Sequence, residues 1–110
     1  MAICTPAVPG AAEAVKQAGR DDVKVIGLGL PNDNKRYIHE GITDCIVLWK
    51  TNDLGYLTLT ASHALAIGTL KPGATQIQAG RLGTIKIAGD NILLGKPFTF
   101  KKDNIDQFDF

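Results

Sequence analysis

Short apolar runs alternate with stretches of helical spacing along the first 68 residues. Met1 to Cys4 is apolar and stops at Thr5-Pro6, and from Pro9 the chain reads PGAAEAVKQA, with Ala11, Ala14, Val15 and Ala18 on one helical face. Pro9 suits the first turn, where its missing N–H has no partner to lose, and Gly19 suits the stop. Val23 to Leu28 is rich in β-branched residues and predicts a strand that breaks at Gly29-Leu30-Pro31-Asn32, after which Asn34 to His39 forms a short helix ended by Gly41. Cys45 to Trp49 predicts the next strand, and a helix follows to about Ile67, with Thr51 or Asn52 as its N-cap and Gly68 as its stop. Leu54, Leu57, Ala61, Ala64 and Leu65 form one stripe on that helix. Near-continuous apolar strands separated by helices imply an α/β fold: a three-layer lobe with a parallel sheet covered on both faces and right-handed crossovers.

The pattern changes after Gly68. Leu70 to Gly80 is a polar connection containing Pro72 and Gly73, and Thr84 to Ile87 alternates before Ala88-Gly89-Asp90-Asn91 and a second run, Ile92 to Leu94. That is the signature of a β-hairpin. The tail carries Pro97 to Phe100 as an extended segment and Asp103 to Asp106 as one helical turn with Asp103 as its cap. Phe98, Phe100, Phe108 and Phe110 supply apolar anchors.

Composition narrows the partners. The 110 residues are 45% hydrophobic and 21% charged, as expected for one globular domain. Twelve Lys and Arg face 11 Asp and Glu, without a run of like charge, so there is no footprint for a nucleic-acid backbone. Cys4 and Cys45 lack metal or redox spacing and are read as buried apolar strand residues. His39 and His63 stand in no ligand motif, so neither a metal nor any other cofactor is expected. His39 is read as a solvated helix-end residue and His63 as partly buried and hydrogen-bonded. Ser62, the chain's one serine, is beside His63 in the helix, where adjacent side chains diverge, so no nucleophile and base pair forms. No catalytic residue is assigned and the chain is not expected to be an enzyme.

Gly27-Leu28-Gly29-Leu30-Pro31-Asn32 begins like a dinucleotide fingerprint, but Asn32 replaces the third glycine, Pro31 interrupts the helix entry, and the later acidic residue is missing. Gly29 can instead admit a ligand to the backbone at the carboxyl edge of a parallel sheet. Trp49, at the end of its strand and followed by Lys50, Asn52 and Asp53, is either a core tryptophan between sheet and helix or an aromatic face for a sugar ring. The loop after the first strand, Thr5-Pro6-Ala7-Val8, falls at the same edge.

Gly27 to Asn32, Tyr37, Leu48-Trp49, Asp53-Leu54-Gly55-Tyr56, His63-Ala64-Leu65, Ala79 to Gly83, Leu93 to Gly95 and Lys102 to Phe110 resemble the C-terminal part of a type I periplasmic sugar-binding protein. The branch in question contains rhamnose-binding proteins and the related receptors for the furanosyl autoinducer. The resemblance covers nearly the whole chain, and Ala74 to Ile92 is more similar to the rhamnose binders. It implies two α/β lobes joined by a hinge, a sugar gripped between them, and delivery of the closed form to an ABC permease. Residues 1–110 then correspond to a partial C-terminal lobe. Thr5, Pro6 and Ala7, Gly29, Leu30 and Pro31, and Trp49, Asn52 and Asp53 are implied to line its side of the cleft. A half-site binds sugar weakly or not at all unless a partner completes it.

Lost neighbouring strands expose a sheet edge and part of an apolar face, so a homo-oligomer is expected. The family works in the periplasm, but no basic segment precedes an apolar run at the N-terminus, and a chain translated from Met1 is expected in the cytoplasm. Two alternatives stand beside the transport reading. One is the effector domain of a sugar-responsive repressor, for which a helix-turn-helix would lie upstream; the other is a small α/β enzyme fragment, which lacks a nucleophile elbow and a phosphate loop.

Overall fold

The computed structural model describes all 110 residues. No helix in it is long and apolar enough to cross a membrane. The chain gathers into two compact units, one formed by Met1–Leu48 with Pro97–Phe110 and the other by Trp49–Lys96.

The first unit holds α1 (Ala7–Gln17), β1 (Val25–Leu28), α2 (Pro31–His39), β2 (Thr43–Leu48) and, from the tail, a short strand at Phe98–Phe100 with a 3-10 turn at Ile105–Gln107. β1 and β2 are parallel, and the Phe98–Phe100 strand runs antiparallel to β2. The expected first strand is reduced to one parallel bridge, Ala2 to Gly27. Thr5-Pro6 turns the chain into α1 directly, so the helix starts at Ala7 and Pro9 lies within its first turn. Likewise α2 begins at Pro31, three residues earlier than expected, because proline's fixed φ fits the first helical position.

Register decides the buried face. Gly27 is opposite Ile46, and Ile46 is opposite Phe100. All three are buried, as is Val25 two residues before Gly27, and Val8 and Ala12 of α1 and Tyr37 and Ile38 of α2 join the same core. Both helices therefore lie against one face of this sheet. The buried stripe of α1 runs through Val8 and Ala12 with Ala11 and Val15 beside it, whereas Ala14 and Ala18, expected on that face, are exposed. Gly27 permits the close packing of α1: a Cβ there would collide with the Ala2 carbonyl oxygen and lie 2.7 Å from Val8 Cγ2. Across the helix pair, Tyr37 donates its hydroxyl proton to Glu13 Oε2 at 2.9 Å and Arg36 Nη2 reaches the same oxygen at 2.9 Å. Hydrogen bonds from the Tyr37 hydroxyl and then from Gln17, with the smaller effect of the Arg36 charge, hold the Glu13 carboxyl below its ordinary range.

The four tail phenylalanines form one cluster. Phe98 and Phe100 are 4.8 Å apart, Phe100 meets Phe108 edge-on at 4.9 Å, and Phe110 packs 6.1 Å from Phe108. Ile105 is fully buried beneath them in the core. The cap of the last turn is Asn104 rather than Asp103, and its Oδ1 accepts from the Lys101 amide at 2.8 Å.

In the second unit, α3 (Thr51–Ala66) precedes a three-stranded antiparallel sheet of β3 (Gln76–Gln78), β4 (Thr84–Ala88) and β5 (Asn91–Ile92). The expected hairpin is β4–β5, and β3 extends it from a segment read as a polar connection. Gln-Ile-Gln is too short for its alternation to signal a strand, yet Ile77 is buried and opposite Ile85. With strands numbered along the chain, the tail strand Phe98–Phe100 is β6. On α3 only Leu57 and Ala61 of the expected stripe are buried; Leu54 and Leu65 are exposed, and the N-cap position falls on Lys50 without a side-chain cap. All three helices end in the same way, at Gly19, Gly41 and Gly68 with positive φ. At α2, Gly41 donates to Ile38 and Ile42 to Tyr37, the paired bonds of a Schellman stop.

Replacing Phe100 by Ala removes a 3%-exposed ring from both the sheet face and the aromatic cluster. The expected cost is about 3–5 kcal/mol, read as a fall in the urea midpoint with little change in slope.

Candidate functional site

The nine sequence candidates divide between the two units. Thr5, Pro6, Ala7, Gly29, Leu30 and Pro31 belong to the first. Ala2 and β1 run side by side and parallel, joined by bonds from the Ala2 amide to Ile26 and from the Leu28 amide to the Ala2 carbonyl. The segments that follow them, Thr5 to Ala7 and Gly29 to Pro31, accordingly leave the same carboxyl edge of the sheet, where α/β folds bind ligands.

Local chemistry shapes each loop. The Ala7 amide closes a turn onto the Cys4 carbonyl at 2.9 Å, with Pro6 at the N-cap position and exposed. Leu30 is extended at φ −82° and ψ 144°, and Pro31 is buried at the first position of α2. The side-chain position of Gly29 is filled from within the protein. The buried Asn34 amide lies over it, so that a Cβ on Gly29 would come within 2.7 Å of Nδ2, which donates to the Leu30 carbonyl at 2.9 Å. The glycine is needed by Asn34, and Asn34 fixes the loop. Its Oδ1 is buried without a partner, as is Thr43 Oγ1. At the start of α2, the Asn32 amide donates to the Phe110 carbonyl oxygen at 3.1 Å and Asn32 Nδ2 to Asp109 Oδ1 at 3.1 Å, so the tail occupies that end of the helix.

Trp49, Asn52 and Asp53 open the second unit. Trp49 is 39% exposed, which excludes a core role and leaves its ring available. Asn52 is exposed. Asp53, in the first turn of α3, accepts a 2.7 Å bond on Oδ1 from Arg81 Nη1, and Arg81 also lies 4.5 Å from the centre of the Tyr56 ring. Arg81 was no site candidate in the sequence because 28 residues separate it from Asp53 and no periodicity links them.

The histidines and cysteines have other surroundings. His39, at the end of α2, pairs with Asp106 at 2.9 Å, and His63 is exposed rather than partly buried. Both cysteines are free; Cys4 is exposed, against expectation, because the N-terminal strand is too short to cover it. Cys45 is half-buried on the side of β2 opposite Ile46, and burial, then the neighbouring Asp44 charge, pushes its thiol pKa up. No group of three or more His, Cys, Asp or Glu side chains is placed to hold a metal ion. An open depression of about 650 Å³ lined by Ala88 and Asn91 to Lys96 includes none of the nine candidates.

Known proteins share this architecture. The structure of a sugar ABC transporter protein from Actinomyces odontolyticus ATCC 17982 matches 99% of the chain at 32% identity with a TM-score of 0.69. LsrB from Clostridium saccharobutylicum, solved in complex with AI-2, matches 98% at 27% identity with a TM-score of 0.72. The chain spans 37% and 39% of the lengths of these two proteins.

Gly29→Ala is expected to cost about 1–3 kcal/mol by displacing the Asn34 amide from Leu30. Urea unfolding of Gly29→Ala, Asn34→Ala and the double variant checks it: the second change should add less than its cost alone, and full additivity would mean that the two residues do not meet. Residues 1–70 match the family described as periplasmic binding protein domain, and the chain belongs to that family of substrate-binding proteins.

Proposed function

We propose that this chain supplies part of the C-terminal lobe of the sugar-binding component of an ABC transport system, working in the periplasm and delivering its ligand to a permease. The ligand class is a rhamnose-like pyranose or a related furanosyl compound. The observation that carries the reading is the pair of loops, Thr5 to Ala7 and Gly29 to Pro31, leaving one carboxyl edge of a sheet in a chain that matches ligand-bound LsrB over 98% of its length. The half-exposed indole of Trp49 supplies a face for the apolar side of a sugar ring, and Asn52 and Asp53 supply donors and acceptors for its hydroxyls.

Affinity follows from how much of the ligand is buried. A lobe alone covers one side of a sugar, so Kd is expected on the order of millimolar rather than micromolar. Calorimetric titration with L-rhamnose, ribose and AI-2, with Trp49 fluorescence as a second signal, should show saturable binding to at least one. Trp49→Ala should weaken it about tenfold. No saturable signal with any of the three ligands would sink the reading for this chain.

A second copy is the proposed cover for the apolar surface left on each chain. Leu59, Leu65 and Ile67 on and beside α3 are 73%, 59% and 59% exposed, and Ile3 is 71% exposed. Sedimentation velocity at micromolar concentration is expected to give a dimer, and a clean monomer would count against it.

A further inference from the structure

We propose that Arg81 is the positioning residue of the polar end of the sugar site, holding the Asp53 carboxylate and the first turn of α3 behind Trp49. This rests on the sugar-binding reading above and adds to it a residue far away in sequence.

The need for such a tie is visible in α3 itself. The helix begins without a side-chain cap, since Lys50 occupies that position and has no acceptor to offer. Its first turn is held by the Asp53 and Leu54 amides, which both donate to the Lys50 carbonyl, at 3.1 and 3.0 Å. Arg81 reaches this turn from outside. Nη1 donates to Asp53 Oδ1 at 2.7 Å, Nη2 approaches the Asn52 carbonyl at 3.5 Å, and the guanidinium lies over Tyr56, one turn further along.

Placing a cation there runs against the positive end of the helix dipole, so attraction to the helix as a whole does not account for it. Asp53 and Tyr56 do. The Arg81 guanidinium rests between a carboxylate oxygen and an aromatic face, two contacts that fix its plane as an ammonium could not. The 3-10 turn Gly80–Leu82 that carries it is fitted to the same tyrosine, because a Cβ on Gly80 would collide with the Tyr56 hydroxyl.

The consequence for a ligand concerns the second carboxylate oxygen. With Oδ1 engaged by Arg81, the carboxylate is held in one orientation and Oδ2 is left to accept from a ligand hydroxyl. The Asp53 side chain is 22% exposed and that of Arg81 52%, so an acceptor and a spare N–H donor stand side by side at the surface. Adjacent hydroxyls of a sugar ring present the complementary donor and acceptor.

The test compares the full chain with Arg81→Ala, Arg81→Lys, Asp53→Ala and the Arg81→Ala/Asp53→Ala double variant. In hydrogen exchange, Arg81→Ala should speed the Asp53 and Leu54 amides about fivefold or more while the Ile77 and Ile85 amides of the β3–β4 pair keep their rates. Arg81→Lys should restore part of the protection. In titrations with L-rhamnose, ribose and AI-2, Arg81→Ala should weaken binding about tenfold, with no further loss on adding it to Asp53→Ala. Unchanged exchange at Asp53 and Leu54, or losses from the two substitutions that simply multiply, would overturn the assignment. If the unsubstituted chain takes none of the three ligands, the sugar reading fails and the ligand half of this inference with it, whereas the exchange rates still decide whether Arg81 sets the turn.

Discussion

Much of the first unit depends on the absence of a side chain at Gly27. The Ala2 carbonyl and Val8 both press into the space that a Cβ would fill, and this lets α1 lie directly against β1. Ala2 then exchanges backbone bonds with Ile26 and Leu28, which aligns the N-terminal segment in parallel with β1. Once those two segments run side by side, the loops after them must emerge together. Thr5 to Ala7 and Gly29 to Pro31 share an edge for that reason, and a larger residue at position 27 would separate them by pushing α1 away.

A second constraint works from the other end of the chain. β6 pairs antiparallel with β2, bringing Phe100 opposite Ile46 and into the core. Around it, Phe98, Phe108 and Phe110 form tilted and edge-on contacts of 4.8 to 6.2 Å, each contributing about 0.5–1.5 kcal/mol beyond its area. The tail thereby becomes structural, and its last residues bond to the start of α2 through Asn32. The Asn32 amide at that helix end is thus bonded by the protein's own tail.

The candidate residues have different surroundings in each unit. Gly29 stands beneath a buried amide, Trp49 is open, and Asp53 is engaged by an arginine from the 3-10 turn. Within the second unit, the Asp53 carboxylate and the Arg81 guanidinium meet at 2.7 Å, so their charges offset each other. The family to which the chain belongs is one of substrate-binding proteins.

The α/β order, the parallel pairing of β1 with β2, the β4–β5 hairpin and the glycine helix stops were readable in the sequence because each is local. Apolar runs and glycine after α1, α2 and α3 act within a few residues of themselves, whereas the start of α2 at Pro31 was not read from the sequence. Tertiary structure decided what depends on meetings between distant residues. The buried face of α1 centred on Val8 and Ala12 rather than on Ala14 and Ala18, β3 appeared only because Ile77 found Ile85, the expected stripe of α3 was buried at Leu57 and Ala61 alone, and Asp53 found Arg81. In each case the deciding contact joins positions that no repeat or spacing connects, so its energy exists only once the chain has folded.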